Sequence, residues 1–558
     1  MIVNQKNIKL LTHAMGSAEK AISVDTETNY TDIYSDRFCL GISICIDGED
    51  CYYIPVGHQK FGDWVPENVS VPEDLFRYVT VPIIFHNAKF DIHVLKKAGI
   101  IFPTENQEIQ DTMIMAHLID ENWFIALEEL SKRILGTEGK RKELKNVLKA
   151  MGGKEMWTSF PPIYMAPYAE TDAKLTYDLF FELEPMLQAQ ELYEVYRNDI
   201  HFMLILQQIE EAGLHVDLEL CRSLEKQCEA RMLQLRQELK FDPAKPSQLH
   251  PKLFGLPPLG LGLIPTSVTP TGKPQVNDAY LQSVNHPIAG LVLEYRGLAK
   301  AMSSYYRAYQ ELADPAGVLH ATFKQTGTVT GRLSCADPNL QQIPREGKVK
   351  GVFLPVEGFE LWEIDYSNIE MRLAAVYAQE HAMLEIFKDP KGDIHGLVAQ
   401  RLNIPRQKAK VVNFLIIYGG QEQALAAQLG ISWNEAHAIL KGYEKEFKRI
   451  FDVMFSAKLA AQQASYVKMW TGRRRHFTLY PDYHKAFNSI IQGGAMEIIK
   501  RSTIELKTHG YDVCNQVHDS VWTNSTGIEE VKSMQKIMES WTEEAFDLPF
   551  YTEAKRLK

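Results

Sequence analysis

The chain has 558 residues, of which 45% are hydrophobic and 23% charged, and its formal net charge is −11. That length exceeds one ordinary core, so two to four domains are expected. No apolar run is long enough to suggest a membrane span, MIVNQKNIKLL lacks the pattern of a cleaved leader, and seven cysteines with no C-x-x-C pair read most simply as a reducing cytosol without structural zinc.

The charge is uneven. Residues 1–200 hold 19 Lys+Arg and 31 Asp+Glu, or −12, so −11 minus −12 leaves +1 for residues 201–558. Within these, residues 391–480 hold 14 basic and 6 acidic residues, or +8. A net negative charge alone argues mildly against a nucleic-acid binder, but this asymmetry suggests different jobs for the two halves.

In chain order, Ala21–Asp25, Phe38–Ile46 and Val81–Phe85 read as strands, and Asp111–Ile119 and Pro167–Leu187 as helices. A helical pattern runs from Asp199 to a C-cap at Gly213. Residues 243–274 contain eight prolines in 32 positions and read as a loop or tip. Helical patterns resume over Pro287–Leu312. A strand, Glu360–Asp365, precedes a helix, Asn368–Gln379. Long helices are expected near 406–417, 433–465 and 485–507, then a hairpin, Val513–Trp522, and a last helix from Ile528.

Three acidic segments stand out in the front half. Ser23-Val-Asp-Thr-Glu-Thr28 puts Asp25 and Glu27 two apart, on one face of a strand. His86-Asn-Ala-Lys-Phe-Asp91 ends an apolar strand and opens a helix with Asp91. Tyr168-Ala-Glu-Thr-Asp172 sets a phenol and a carboxylate on one helix face. Singly, such groups read as solvated carboxylates. Converging, they would repel unless cations intervened, and two Mg²⁺ ions suit such an oxygen-rich site.

In the back half, Asp365 ends a strand, Glu370 follows on the next helix, and Asp519 sits in the late hairpin. Between them Arg406, Lys410, Phe414 and Tyr418 recur every four residues along one helical stripe. Two cations followed by two aromatics fit a triphosphate clamp leading to a base-stacking platform. The alternative is a solvated basic face with core aromatics.

The ordered triple D-x-E, N-x-x-x-D, Y-x-x-x-D resembles the motifs of the 3′→5′ proofreading exonucleases of the DEDD class. The resemblance makes Asp25, Glu27, Asp91 and Asp172 metal ligands and Tyr168 the group that orients the attacking water. DYSNIEMRLAA, RQKAKVVNFLIIYGG and QVHDSV resemble motifs A, B and C of the family A DNA polymerases. VLEYRGLAK, TGRLSCADPNLQQIP, GDIHGLVAQ and FNSIIQGGAMEIIKRS agree, in family order, so the resemblance covers the chain from Ala21 onward.

It implies a multidomain α/β protein: a ribonuclease H-like exonuclease domain, then a right hand of thumb, palm and fingers. The expected bounds are 1–198 for the exonuclease and 199–335 for the thumb and start of the polymerase. The palm takes 336–390 and 481–558, and the fingers 391–480. Asp365, Asp519 and the Tyr366 carbonyl become palm metal ligands. Two Mg²⁺ serve each site, with Mn²⁺ as a substitute. Arg406, Lys410 and His395 become triphosphate contacts, Phe414 packs on the incoming nucleotide, Tyr418 flanks the template base, and Glu370 gates against a ribose 2′-OH. Arg332, Asn488, Gln492 and His518 resemble primer and template contacts. Lys324, Lys348, Lys350 and the Arg473–Arg475 run read as either DNA-backbone contacts or solvated charges. Phe414, which lacks a hydroxyl, implies poor use of dideoxynucleotides.

Motif C departs from the family's His-Asp-Glu: it reads His518-Asp519-Ser520. His-Asp-Ser resembles single-subunit RNA polymerases instead, an alternative opposed by Glu370, by Phe414 and by a proofreading domain. A catalytically dead DNA-binding scaffold is opposed by the intact carboxylates. The family's cellular members carry a preceding 5′-nuclease domain; with Asp25 coming almost at once, the expectation is that this domain is absent. The expectation is a monomeric phage-type DNA polymerase in a bacterial cytoplasm. Its partners are primer-template DNA, dNTPs, a single-stranded 3′ end and a helicase or other replisome protein, with no membrane.

Overall fold

The computed structural model describes residues 1–29, 39–60, 63, 65–102, 107–137, 141–269, 271–344, 347–478 and 482–558. The chain forms two compact units. One comprises Met1–Ala212, Phe323–Ser334 and Trp362–Lys555; the other comprises Gly213–Thr322, Cys335–Leu361 and Arg556–Lys558.

The first unit holds two sheets. The front one has five strands, in the order Asp50–Pro55, Cys39–Ile46, Ile22–Thr28, Ile83–Phe85 and Ile109–Asp111. The first three pair antiparallel and the last two join in parallel. Every residue of Cys39–Ile46 is buried, as expected for a strand covered on both faces. Of the expected strand, Phe38 lies outside the described residues. Gly41 is required there, since a Cβ would fall 2.0 Å from the Tyr53 hydroxyl. The helix Pro162–Ala189 starts five residues earlier than the sequence suggests, with Pro162 in its first turn, where a missing N–H costs nothing.

The second sheet has four strands, in the order Asp512–Val517, Ser520–Ser525, Glu360–Tyr366 and Thr552–Arg556. The hairpin turn is His518-Asp519, with His518 at a φ of +52°, the left-handed backbone that tight two-residue turns need. The long helix Ala486–Thr508 lies against this sheet's neighbours. A Cβ on its Gly493 would meet Met469 Cε at 2.1 Å, and one on Gly494 would meet Leu373 Cδ2 at 2.7 Å. These two glycines let the helix approach both elements.

The expected single helix over 433–465 is two, Trp433–Glu446 and Lys448–Ala464, broken at Phe447. Phe447 is fully buried, and its non-helical backbone, φ −126° and ψ 52°, ends the first helix.

The second unit is mainly helical, with a core of Phe241, Leu249, Leu253, Tyr280, Leu281, Ala289 and Val292. The proline-rich stretch is not wholly a loop. Pro246–Phe254 is a helix with Pro246 in its first turn; Leu249 and Leu253, four apart, bury its apolar face and outweigh Pro251 within it.

Candidate active sites

The front sheet gathers the acidic motifs. Asp25 and Glu27 lie on the central strand Ile22–Thr28, and Asp91 lies in the first turn of the helix Ala88–Lys97. That helix starts three residues before Asp91, at Ala88, because the Asp111 carboxylate accepts from the Asn87 and Ala88 N–H groups at 3.2 and 2.7 Å. Asp172 and Tyr168 come from Pro162–Ala189.

These groups sense one another. Burial, then the charges of Glu27, Asp91 and Asp172, push the Asp25 carboxyl well above its ordinary range. Burial lifts Asp91 to about 8, although Thr26 offsets part of this by donating from its hydroxyl at 2.6 Å and its N–H at 3.1 Å. The Tyr168 hydroxyl is pushed up by burial and by Glu27, Asp172 and Asp25, and it hydrogen-bonds Asp172. Glu27, Asp91, Tyr168 and Asp172 therefore all lie within electrostatic reach of Asp25. Four mutually repelling oxygen donors suit hard divalent cations, which would relieve that repulsion.

A different trio has ligand atoms within 4.8 Å of one another: Asp120, Glu121 and His476. Glu121 is already compensated, accepting from Arg475 at 2.6 Å, the His476 N–H at 2.6 Å and the His476 ring at 2.9 Å. This is a clasp between the N-terminal portion and the hairpin Tyr466–His476.

At the second sheet, the strand Glu360–Tyr366 presents Asp365, and its neighbour's turn presents Asp519. The Tyr366 N–H donates to the Asp519 carbonyl at 3.2 Å. The Tyr366 side chain points the opposite way, with its hydroxyl 2.7 Å from Ser502 Oγ and 2.9 Å from the Met538 carbonyl, which anchors the strand beneath Asp365. Arg332 Nη2 donates to Glu370 Oε1 at 2.7 Å and lies 3.9 Å from Asp519 Oδ1. Tyr418 also hydrogen-bonds Glu370. Burial raises the Glu370 carboxyl, Arg332 lowers it, and Asp519 raises it again. Arg332, Glu370, Tyr418 and Asp519 thus form one polar cluster beside Asp365, and the carboxylates of Asp365 and Asp519 are its oxygen donors suited to a divalent metal.

Arg406, Lys410, Phe414 and Tyr418 all lie on an exposed stripe; Phe414 is 37% and Tyr418 49% exposed. The alternative of core aromatics is therefore wrong. Arg406 forks onto Asp393, with N···O distances of 2.6 and 2.9 Å. His395 is 2.8 Å from Asn413 Nδ2 and its ring centroid is 5.9 Å from that of Phe414. Burial, then Arg406, lowers its basicity. Asn488 and Gln492 share the helix Ala486–Thr508, and buried Asn488 Nδ2 makes no hydrogen bond. His518 is exposed in its turn.

Arg473 corrects both readings of the Arg473–Arg475 run, since its buried side chain is neither a DNA contact nor a solvated turn. Arg473, 4% exposed, donates to Asp199 and Glu497 at 2.5 and 2.8 Å. Arg474 sits over the Tyr466 ring at 4.3 Å, and Arg475 joins the Glu121 clasp. Partners lying 274 and 354 residues away explain why sequence spacing missed them. Sequence reasoning also missed Glu363, which accepts from Trp522 and Ser520; its place two residues before Asp365 was the available signal.

Comparison with known proteins shows the families to which the two parts of the chain belong. Residues 3–188 match the 3′–5′ exonuclease family and residues 217–556, more than half of the chain, match DNA polymerase family A. The chain is 29% identical to DNA polymerase I of Borreliella burgdorferi over 95% of its own length and 61% of the relative's. It is 26% identical to DNA polymerase DpoZ of Salmonella phage PMBT28 over 93% of each. The chain thus spans about three fifths of that bacterial relative's length. A solved structure, the polymerase domain of Pol1 from M. smegmatis with primer-template DNA and dNTP, shares the fold at a TM-score of 0.82 and 22% identity, covering 99% of this chain and 98% of that one. Among the described residues, no helix is long and apolar enough to cross a membrane. The matched families, and the two carboxylate sites that their residues build, identify the chain as a member of the family A DNA polymerases with a 3′–5′ exonuclease domain.

Proposed function

We propose that this protein extends a DNA primer on a DNA template with dNTPs and removes mispaired 3′ ends. The observation that carries the reading is the cluster of Arg332, Glu370, Tyr418 and Asp519 beside Asp365, joined through Tyr418 to the exposed basic-aromatic stripe.

Asp365, Asp519 and the Tyr366 carbonyl hold divalent metal in this reading; Asp25, Glu27, Asp91 and Asp172 do so in the exonuclease site. Two Mg²⁺ per site, replaceable by Mn²⁺, would activate the attacking oxygen and neutralise the leaving one. Arg406 and Lys410 bind the triphosphate with help from His395, so Arg406 exchanges the Asp393 carboxylate for phosphate. Phe414 packs on the sugar and base, and Tyr418 flanks the template base. Glu370, held by Arg332 and Tyr418, fills the space of a 2′-OH. Arg332, Asn488, Gln492 and His518 contact primer and template. Tyr168 orients water for hydrolysis at the single-stranded 3′ end.

We read residues 1–198 as the exonuclease, 199–335 as the thumb and start of the polymerase, 336–390 and 481–558 as the palm, and 391–480 as the fingers. Likeness to a phage polymerase over 93% of both chains supports a phage replication enzyme, which we read as a monomer at work in a bacterial cytoplasm, beside a helicase or other replisome protein.

The test is extension of a labelled primer on a DNA template with dNTPs or NTPs, with Mg²⁺ or with EDTA. Extension with dNTPs alone, lost in EDTA, is the expected result. Equal use of NTPs would favour the RNA polymerase reading.

A further inference from the structure

Glu363 stands two residues before Asp365 on the strand Glu360–Tyr366. Along this strand Trp362, Ile364 and Tyr366 are buried, while Glu363 and Asp365 are half-buried. The alternation of a strand therefore puts both carboxylates on one face. The neighbouring strand, Ser520–Ser525, begins immediately after Asp519. Its fully buried Trp522 donates from Nε1 to Glu363 Oε1 at 3.3 Å. Ser520 Oγ lies 3.2 Å from the same oxygen and 2.8 Å from the Val517 carbonyl, its one proton serving both. One Glu363 oxygen is thus oriented from the strand that follows Asp519, and the side chain shares the face of Asp365.

We propose that Glu363 is a third acidic residue of the polymerase site, positioned by Trp522 and Ser520, and that its charge strengthens the hold of Asp365 and Asp519 on divalent metal. It supplies, from the motif A strand, the carboxylate that His518-Asp519-Ser520 lacks in motif C. The inference rests on the polymerase reading of that site. A carboxylate merely satisfying the buried indole N–H would need only an oxygen acceptor; one acting on metal needs its charge. Glu363→Gln separates these roles, because its amide oxygen still accepts from Trp522 and Ser520.

The measurement is Mn²⁺ binding by electron paramagnetic resonance to the full-length protein with a dideoxy-terminated primer-template and the next dNTP. All variants carry Asp25→Ala, which removes an exonuclease-site ligand. Glu363→Gln is expected to weaken Mn²⁺ binding about tenfold or more, the usual size for a partner behind metal ligands. The Mg²⁺ midpoint for extension should rise in step, with kcat at saturating Mg²⁺ less affected. The pair Glu363→Ser with Ser520→Glu returns the carboxylate to the adjacent strand and should recover most of the affinity. Unchanged Mn²⁺ affinity in Glu363→Gln overturns the proposal. Should that variant misfold, the paired variant decides: recovered affinity supports the proposal and lost affinity overturns it. Asp365→Asn is run alongside; if it still extends primers, the polymerase reading of the site fails, whatever Glu363 does.

Discussion

Arg332 and Glu370 form an ion pair at 2.7 Å although they lie 38 residues apart, on different elements. The pair sets a buried carboxylate, with Tyr418 against it, beside the acidic end of the sheet. In the role proposed for Glu370, as a gate against the 2′-OH, Glu370→Ala empties the volume that excludes it. Ribonucleotide incorporation should then rise, read as the ratio of NTP to dNTP kcat/KM, with dNTP efficiency falling less.

Arg332→Ala leaves Glu370 buried without its cation. A lost hydrogen bond to a charged group costs about 1.5–3 kcal/mol. Single-nucleotide extension should therefore fall about 10- to 100-fold. Arg332→Lys should recover little, because a point charge does not reproduce the guanidinium reach to both Glu370 and Asp519.

Asp199 joins the helix Tyr193–Ala212 to Arg473 and to the helix Ala486–Thr508 through a sealed network. Lys500 reaches Asp199 at 2.9 Å and Glu497 at 3.0 Å, and Arg473 reaches both acids. Two positive and two negative groups cancel. Burial raises the Asp199 carboxyl, but Arg473 and then Lys500 outweigh it and bring it down to about 2. A depressed carboxylate stabilises the fold above its ordinary range, and that contribution is lost as pH falls from about 4 to about 2. It amounts to about 2 kcal/mol. Asp199→Asn should destabilise by about 3–5 kcal/mol at neutral pH by leaving buried cations unpaired. Thermal unfolding of the two proteins between pH 7 and pH 3 checks this, with the gap between them narrowing toward acid.

Thr26→Val removes the 2.6 Å hydrogen bond to Asp91 and keeps the side-chain shape. The Asp91 carboxyl should rise further, so hydrolysis of a single-stranded 3′ end should slow severalfold and need higher pH. Primer extension by the same variant, assayed on matched DNA, should keep its rate.

Much of the site was legible because its chemistry is local. Asp25 and Glu27 lie two apart on one strand, and Arg406 to Tyr418 fall every four residues on one helix, so periodicity alone groups them. Pairings across hundreds of residues were not legible. Arg473 looks like a basic turn until the fold brings Asp199 and Glu497 to it. Phe447 looks like one more apolar residue in a helix until its burial fixes a break. Pro246 signals a loop unless Leu249 and Leu253 have a core to enter. The charge of −12 over residues 1–200 also reads differently. Part of it is the raised carboxylate cluster, and part is Glu121 and Asp199, neutralised by Arg475, Arg473 and Lys500 of the basic half.

The most direct measurement places wild type, Asp25→Ala and Asp365→Asn on one 5′-labelled primer-template with dNTPs and Mg²⁺. Two separate sites predict that Asp25→Ala only lengthens the primer and Asp365→Asn only shortens it, while wild type does both. Extension by Asp365→Asn at the wild-type rate, or loss of both activities in either variant, would contradict the assignment.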